Sequence, residues 1–287
     1  MTLEQLVDEL KKQHVLVVGD AIEDHYFFGR VERMCPEAPV PVFIEERVEE
    51  RAGGAEHTAQ QVKALGEMSA LFGWPKSAKV RYMVGSHMLL RSDYDKKPSM
   101  TSEEIIEAFN KMTKEDGDFK PLTAIILSDY GKGMLDEKMC QFFMGYAKAR
   151  SIPVFVDPKG SDWTKYRGAD WICPNEVEWA ARIADTCTAK VLRKRGQHGL
   201  QIGDTEFPAR ARAVFDVTGA GDTVVAVFAM AIADGADPGS AAQLANIAAG
   251  FTVGQVGTVS ISHELLKSLA KLYDEEMAKS TAGRKLN

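Results

Sequence analysis

The 287-residue sequence lacks the signals that mark several classes of protein. Its four cysteines, at positions 35, 140, 173 and 187, have no metal-ligand spacing, and its six histidines are dispersed, so we expect reduced thiols. No long basic run is present and the net charge is -6, which disfavours nucleic acid as a partner. The apolar run 15–18 is far too short for a membrane span or a signal sequence. These absences predict a cytoplasmic protein that acts on small molecules and binds no membrane.

What is present is an alternation of strand and helix signals. Short apolar runs at 15–18, 124–127, 153–156 and 171–173 indicate buried strands, and 136–150 has helical periodicity. Continuous apolar strands joined by helices are typical of a parallel sheet that is covered on both faces. The sequence therefore predicts a single α/β domain over residues 1–287, with a mostly parallel central sheet flanked by helices.

Three segments carry further signals. Residues 26–52 alternate without a helical period, which predicts a small β lid over the main sheet. Thr101 and Glu104 have the spacing of a capping box, which predicts a helix through Thr113. The end of the chain, 280–287, is polar and of low complexity, which predicts a flexible tail.

The most informative stretch is 216–222, with the sequence Asp-Val-Thr-Gly-Ala-Gly-Asp. An apolar helical segment, 223–233, follows it, so the Gly-Ala-Gly turn lies at a predicted helix N-terminus. Unpaired N–H groups and the helix dipole favour an anion there, and small residues let a phosphate approach the backbone. Asp222 would then be placed to take a proton from an attacking hydroxyl. No Gly-Lys-Ser/Thr follows, which excludes a P-loop, but an ordinary helix start is the plain alternative.

The whole 216–222 string resembles the C-terminal signature of the ribokinase-like (PfkB) carbohydrate kinases. Other segments resemble the same family and occur in the family's order along the chain. Within the family, they resemble the kinase domain that acts on heptose 7-phosphate. These segments are 17–20, 24–26, 36–42, 49–55, 127–133, 156–160, 166–169, 174–178, 246 and 253–258. The string Pro-Glu-Ala-Pro-Val-Pro-Val at 36–42 narrows the subfamily. The resemblance extends to about residue 260 and implies a ribokinase-like fold and a sugar kinase that uses ATP and Mg²⁺.

The resemblance also implies roles for individual residues. Asp222 would be the catalytic base, and the amides of Gly219, Ala220 and Gly221 would hold the transferring phosphoryl group. Glu178 would help to hold Mg²⁺ through water. The expected nucleotide contacts are Asn175, Lys159, Lys194, Gly196, Gly199, Asn246, Asp216 and Thr218. Structural alternatives stay open: Asn175 and Glu178 have capping-box spacing, Lys159 is a candidate solvated lysine, and Asn246 is a candidate turn cap.

For the sugar, we expect short acids and a Gly-Gly turn that admits the ring closely. The candidates are Asp20, Asp24, Gly53, Gly54 and His57, with Arg91, Lys132 or Arg51 meeting a 7-phosphate. His57 stands where the family usually carries asparagine, which exchanges an amide for a ring that can titrate near neutral pH. Asp20 has the alternative of simply ending its strand.

Two stretches, after Gly66 and after Glu178, are shorter than is usual in the family, and no nucleotidyltransferase domain follows the kinase segment. We therefore expect the kinase step alone, on D-glycero-D-manno-heptose 7-phosphate at O1, and a homodimer that pairs through the lid. One alternative is a kinase for another sugar or sugar phosphate. A second, from another class, is a catalytically silent protein that binds a sugar or a nucleotide.

Overall fold

The computed structural model describes residues 1–115, 120–184, 186–211, 216–255 and 257–284. The helices are α1 (Leu3–Leu10), α2 (Ala55–Leu65), α3 (Ser102–Glu115), α4 (Glu137–Lys148), α5 (Glu176–Ala181), α6 (Ala220–Ala233), α7 (Pro238–Thr252) and α8 (His263–Arg284). The strands are β1 (His14–Gly19), β2 (Ala21–Met34), β3 (Pro41–Gly54), β4 (Glu67–Phe72), β5 (Ser77–Val84), β6 (His87–Tyr94), β7 (Ala124–Ser128), β8 (Val154–Asp157), β9 (Trp171–Ile172), β10 (Lys190–Val191), β11 (Arg193–Lys194), β12 (Leu200–Ile202) and β13 (Thr205–Phe207).

The main sheet has the strand order β10-β9-β8-β7-β1-β4, and each neighbouring pair is parallel. All residues of β1 are buried, because helices cover both faces of the sheet. Val15 and Val17 pack with α1, α2 and α6, whereas Leu16 and Val18 pack on the other face with α3 and α4. The predicted α/β architecture with a mostly parallel central sheet is confirmed.

Local capping chemistry fixes where the helices begin. The predicted capping box before α3 is present: Thr101 N–H donates to the Glu104 carboxylate at 2.8 Å, and Thr101 Oγ1 accepts the Glu104 N–H at 3.3 Å. At α4, Asp136 accepts the N–H of Met139 at 2.8 Å. Helix α6 is buried over most of its length, as expected for a helix that is apolar on all sides. Its N-terminus is therefore held firmly against the sheet.

A second sheet, with the order β3-β2-β5-β6, forms the lid. It is larger than the predicted segment 26–52, because β2 begins at Ala21, β3 ends at Gly54, and residues 77–94 add two further strands. The β2–β3 hairpin leaves the main sheet directly after β1 and returns directly into α2. The lid is thus anchored at both ends beside the carboxyl edge of β1.

The two faces of the lid differ in chemistry. One cross-strand row consists of Tyr26, Glu49, Arg81 and Arg91, and the next row consists of Phe27, Val48, Tyr82 and Leu90. Side chains of successive strand residues point to opposite faces. The lid therefore has a charged face and an apolar face.

The two segments that we expect to be shortened lie at opposite edges of the main sheet. Residues after Gly66 form edge strand β4, and those after Glu178 include the short α5 and edge strand β10. In the predicted tail, α8 continues to Arg284, and 285–287 lie outside the described residues. Within the described ranges, no helix has the length and apolar character needed to cross a bilayer.

Candidate active site

Polar residues follow the central strands at one edge of the main sheet. Asp129 comes directly after β7, Asp157 is the last residue of β8, and Asn175 follows β9. Because these strands are parallel, their carboxyl ends meet at the same edge, where open α/β sheets bind ligands. A cavity of about 510 Å³ lies there, a size typical of small-molecule sites.

Most of the predicted nucleotide and phosphoryl residues line this cavity. They are Lys159, Asn175, Glu178, Lys194, Gly196, Gly199, Gly219, Ala220, Gly221, Asp222 and Asn246. Asp216 and Thr218 do not line it but shape the turn beside it. The Asp216 carboxylate accepts hydrogen bonds from the N–H and the hydroxyl group of Thr218, at 2.9 and 2.7 Å. It also accepts one from the N–H of Gly257 at 2.9 Å.

The Gly-Ala-Gly turn opens α6 as the sequence predicts. Gly219 has φ 77°, a left-handed conformation that favours glycine, and no side chain in the described part of the chain caps the helix there. The Ala220 N–H donates weakly to the Val217 carbonyl at 3.3 Å. The first turn of α6 lines the cavity, and the N–H groups of a helix N-terminus suit an anion.

Asp222 lies in this first turn and is almost fully buried, with 4% of the residue exposed. One carboxylate oxygen lies 3.1 Å from Nδ1 of His57, and the other accepts the Tyr130 hydroxyl at 2.6 Å. Burial, together with the Asp222 charge, raises the pKa of Tyr130 well above its usual value, so Tyr130 remains a hydrogen-bond donor. The carboxylate is therefore held from two sides at the wall of the cavity.

Lys194 and Asp157 form a largely buried ion pair beside the turn, with Nζ 2.5 Å from Oδ1. A Cβ added to Gly221 would lie 3.2 Å from Lys194 Nζ, so the ammonium lies next to the predicted phosphoryl site. Burial raises the pKa of Asp157 to about 6; Lys194 opposes this, and the charges of Asp222 and Glu178 add to it. Burial also acts against the ammonium, but the Asp157 carboxylate raises the pKa of Lys194 above its usual value. The three acidic side chains Asp157, Asp222 and Glu178 thus lie near the cationic Lys194.

Asn175 and Glu178 form the capping box that their spacing permits. Asn175 Oδ1 accepts the Glu178 N–H at 2.9 Å, and Glu178 Oε2 accepts the Asn175 N–H at 2.9 Å. The second oxygen of Glu178 lies 3.8 Å from the half-exposed Lys159 Nζ at the cavity wall. The capping box is therefore formed, and it leaves one Glu178 oxygen directed at the cavity. In the described part of the chain, no cluster of three His, Cys, Asp or Glu side chains could hold a metal ion by itself.

Part of the cavity lining is apolar and includes Leu200, Ala209, Ala249 and Val253. Asn246 Nδ2 is used there to bind the carbonyls of Phe207 and Pro208, at 3.2 and 2.7 Å. It ties α7 to the end of β13, which is close to its alternative role as a cap. Its predicted contact with adenine stays a prediction.

The predicted sugar residues lie on the lid side of Asp222, and several already have protein partners. Asp20 accepts the N–H groups of Tyr130, Lys132 and Met134 at 2.9–3.0 Å. Asp24 forms an ion pair with Arg81 at 2.6 Å. A Cβ at Gly53 would lie 2.3 Å from the Asp24 carboxylate, and Gly54 has φ 59°, so this Gly-Gly turn permits the close approach of β2 and β3.

All three predicted phosphate ligands are paired with acids. Arg91 binds Asp93 at 2.8 Å on the exposed edge strand, and Lys132 contacts Asp95. Arg51 donates to Glu49 at 2.6 Å and lies against Gly257. Their contacts with substrate remain predictions.

The charged face of the lid brings two cations to the site that sequence reasoning missed. Lys79 Nζ lies 5.7 Å above the ring of Tyr130, the residue that binds Asp222. Burial lowers the pKa of Lys79, and within the described ranges it has no carboxylate at ion-pair distance. Arg81 and Arg51 flank the ring of Tyr26, each at 4.9 Å, and the buried hydroxyl of Tyr26 has no hydrogen-bond partner in the described structure. The alternation Lys-Val-Arg at 79–81 was the available signal, since it places both cations on one face of a strand.

Comparison with a family model identifies the family of this chain. Residues 106–265 match the pfkB family carbohydrate kinases. The chain is 36% identical over 304 residues to the bifunctional protein HldE of Hahella chejuensis. This match covers 88% of this chain and 62% of the relative. It is 38% identical over 300 residues to HldE of Pseudomonas putida, with 86% and 62% covered. The chain thus spans about three fifths of the length of these curated relatives.

Solved structures show the same fold. The ribokinase of Arabidopsis thaliana, solved with ribose and ATP, has a TM-score of 0.62 and 18% identity to this chain, and the match covers 90% of this chain and 98% of the ribokinase. The fold is therefore ribokinase-like, and the family match extends over more than half of the sequence. This chain belongs to the pfkB family of carbohydrate kinases.

Proposed function

We propose that this ATP-dependent carbohydrate kinase phosphorylates D-glycero-D-manno-heptose 7-phosphate at O1 and yields the 1,7-bisphosphate. One observation carries the proposal: Asp222 lies between the cavity and the charged face of the lid. A base in this place can serve a sugar on the lid side and a nucleotide on the cavity side. The names of the HldE relatives concern those proteins, and their kinase segment supports the choice of a heptose.

The reaction needs positioning and charge stabilisation more than covalent chemistry. Asp222 accepts the proton of the sugar hydroxyl while the hydroxyl oxygen of the sugar forms a bond to the γ-phosphorus of ATP. The bond from the γ-phosphorus to the bridging oxygen breaks, and ADP leaves. The N–H groups of Gly219, Ala220 and Gly221, with Lys194 beside them, stabilise the charge on the transferring group.

The residues present fit Mg²⁺ that is held mainly by ATP phosphates and water. Glu178 directs one oxygen at the cavity, and the pKa of Asp157, raised by burial and by the nearby acids, indicates negative charge that a cation would offset. When bound, the ion would neutralise phosphate charge. Glu178 and Asp157 would hold it through water.

A phosphorylated sugar fits the charged face of the lid better than a neutral one. Arg81 and Arg51 flank Tyr26, and Lys79 lies on the same face of β5 as Arg81, above Tyr130; among these three, only Arg81 and Arg51 have carboxylate partners in the described chain. Lys79 and the unpaired Tyr26 hydroxyl are donors that a second phosphate would satisfy. We therefore assign the 7-phosphate to Lys79 and Arg81, ahead of Arg91 and Lys132.

We further propose that two copies pair through the apolar face of the lid. Leu90 is more than half exposed there, and Val48, in the same cross-strand row, is 41% exposed. An exposed apolar sheet face of this kind is typical of an interaction surface.

A panel of sugars tests the substrate. Purified protein with ATP and Mg²⁺ is given heptose 7-phosphate, hexose phosphates, pentose phosphates and the corresponding free sugars, and the position of the new phosphate is assigned by NMR. We expect heptose 7-phosphate to have the highest kcat/KM, with the product phosphorylated at O1. Preference for another sugar would overturn the choice of heptose. If the protein consumed no ATP with any sugar of the panel, a silent binding protein would be favoured.

A further inference from the structure

His57 is the buried partner of Asp222 that the proposed reaction leaves without a role. The residue is 1% exposed, and Nδ1 lies 3.1 Å from Asp222 Oδ2. The ring also lies against the turn, because a Cβ added to Gly219 would be 2.4 Å from His57 Cε1. Since the imidazole is sealed from the cavity, it cannot meet a substrate directly. Any contribution of His57 must therefore act through Asp222 and Gly219.

The protonation of this ring is determined by Gln61, one helical turn later on α2. Gln61 Nε2 donates to the Val259 carbonyl at 2.7 Å, and Gln61 Oε1 accepts the Ile261 N–H at 3.3 Å. These two backbone groups fix which end of the amide is nitrogen, because a flipped amide would oppose donor to donor and acceptor to acceptor. The second hydrogen of Nε2 then points to His57 Nε2 at 3.2 Å.

A ring nitrogen that faces an amide NH₂ group must accept a hydrogen bond. His57 Nε2 is therefore unprotonated, so the hydrogen of the neutral ring is on Nδ1 and is donated to Asp222. A doubly protonated ring would direct its Nε2–H at the Gln61 amide hydrogens. With Tyr130 donating to the other oxygen, the Asp222 carboxylate accepts one fixed donor on each side.

We propose that Gln61 and His57 are positioning residues that orient the catalytic carboxylate by fixing the Nδ1–H tautomer. The proposal rests on Asp222 as the base of the proposed kinase reaction. His57 keeps its proton throughout, and Asp222 receives the proton of the sugar hydroxyl with a lone pair that neither donor uses. The backbone at Val259 and Ile261 thereby determines the orientation of Asp222 through two side chains.

The tautomer can be measured without any substrate. Long-range ¹H–¹⁵N spectra of the full chain with ¹⁵N-labelled histidine distinguish protonated from unprotonated ring nitrogens, and His57→Asn identifies the His57 signals by their loss. At neutral pH we expect a protonated Nδ1 and an unprotonated Nε2. In Gln61→Glu the new carboxylate accepts a hydrogen bond, so Nε2 should become protonated. A wild-type ring protonated at Nε2 would overturn the proposal.

Kinetics separate orientation from packing. His57→Leu fills the space without a donor, so we expect kcat to fall by about tenfold to a hundredfold, within what a general base contributes, while the KM for ATP changes less than about threefold. His57→Asn restores an N–H donor and should recover most of the lost kcat. Equal losses in the two variants, with both folded, would contradict an orienting hydrogen bond.

The two proposals fail in different ways. If heptose 7-phosphate is not the substrate, the tautomer is unaffected and the His57 variants are compared on the sugar that is phosphorylated. If the ring carries its proton on Nε2, the positioning role is lost although the kinase reaction stands. Should His57→Leu not fold, the wild-type spectrum still decides.

Discussion

Gly219 carries a hydrogen where any other residue would carry a Cβ, and this leaves room for the His57 ring. We predict that Gly219→Ala lowers kcat by about tenfold to a hundredfold, because its Cβ would lie 2.4 Å from His57 Cε1 and would displace a ring that contacts the base. The left-handed φ of 77° adds a backbone cost of about 1–2 kcal/mol. Steady-state kinetics and thermal unfolding measure the two effects.

Gly235 supplies a matched control at the other end of the same helix. It also has a positive φ, 89°, but a Cβ there meets nothing within 4 Å. Gly235→Ala should therefore lose a similar amount of stability and retain wild-type kcat. Equal activity in the two variants would show that the contact between Gly219 and His57 has no catalytic weight.

Asp157 makes stability depend on pH in an identifiable window. Its pKa is raised by burial from 3.8 to about 6, so the folded chain holds this proton after the unfolded chain has released it. The stabilisation is complete below about pH 4 and is lost as the pH rises to about 6. We predict that Asp157→Asn gains up to about 3 kcal/mol relative to the wild type between pH 4 and 7, as measured by urea unfolding.

Pairing with Lys194 is already part of the pKa of Asp157, and the offset at every pH comes from the difference between the Asn amide and a protonated carboxyl. Only the change with pH therefore reports on Asp157. A stability difference that stays constant from pH 4 to 7 would contradict a raised pKa for this group.

At the scale of elements, strand β5 supplies cations to the site. We predict that Lys79→Gln raises the KM for the sugar phosphate by about tenfold to a hundredfold, the loss expected for a hydrogen bond to a charged group. The KM for ATP should not change, because Lys79 faces Tyr130 and does not line the nucleotide cavity. Initial-rate kinetics with each substrate varied in turn measure both constants.

The corresponding sugar without its phosphate serves as the control substrate. Its kcat/KM should be similar in wild type and Lys79→Gln. If the variant weakens both sugars equally, Lys79 supports the lid and does not bind the phosphate.

Strands β7 and β8 could be predicted within a residue or two because buried parallel strands are continuous apolar runs. Strands β5 and β6 could not, since polar and charged residues interrupt their apolar ones and leave runs of only three apolar residues in each strand. The same contrast applies to the site. The turn at 219–222 is contiguous and could be found. By contrast, Asp157 meets Lys194, Tyr130 meets Asp222, and Lys79 meets Tyr130 only through folding. Their roles depend on pairings between distant strands, which local sequence does not encode.

At the scale of the whole molecule, the apolar face of the lid predicts a dimer. Leu90 is 58% exposed on this face, and we expect Leu90→Asp to halve the mass in solution, because a buried unpaired charge disfavours the interface. Light scattering coupled to gel filtration measures the mass. Leu272→Asp is the control, since Leu272 is 50% exposed on α8, away from the lid. An unchanged mass for Leu90→Asp, or a loss in both variants, would contradict pairing through the lid.

In the proposed reaction, Asp222 removes the proton of the sugar hydroxyl as ATP is attacked. The most direct test is ³¹P NMR of heptose 7-phosphate and ATP with wild-type protein and with Asp222→Asn, whose fold and ATP affinity are checked in parallel. We predict one new anomeric phosphate for each ATP consumed by the wild type. The folded Asp222→Asn variant should bind ATP normally and turn over at least about a hundredfold more slowly. Turnover of Asp222→Asn at the wild-type rate would contradict the account.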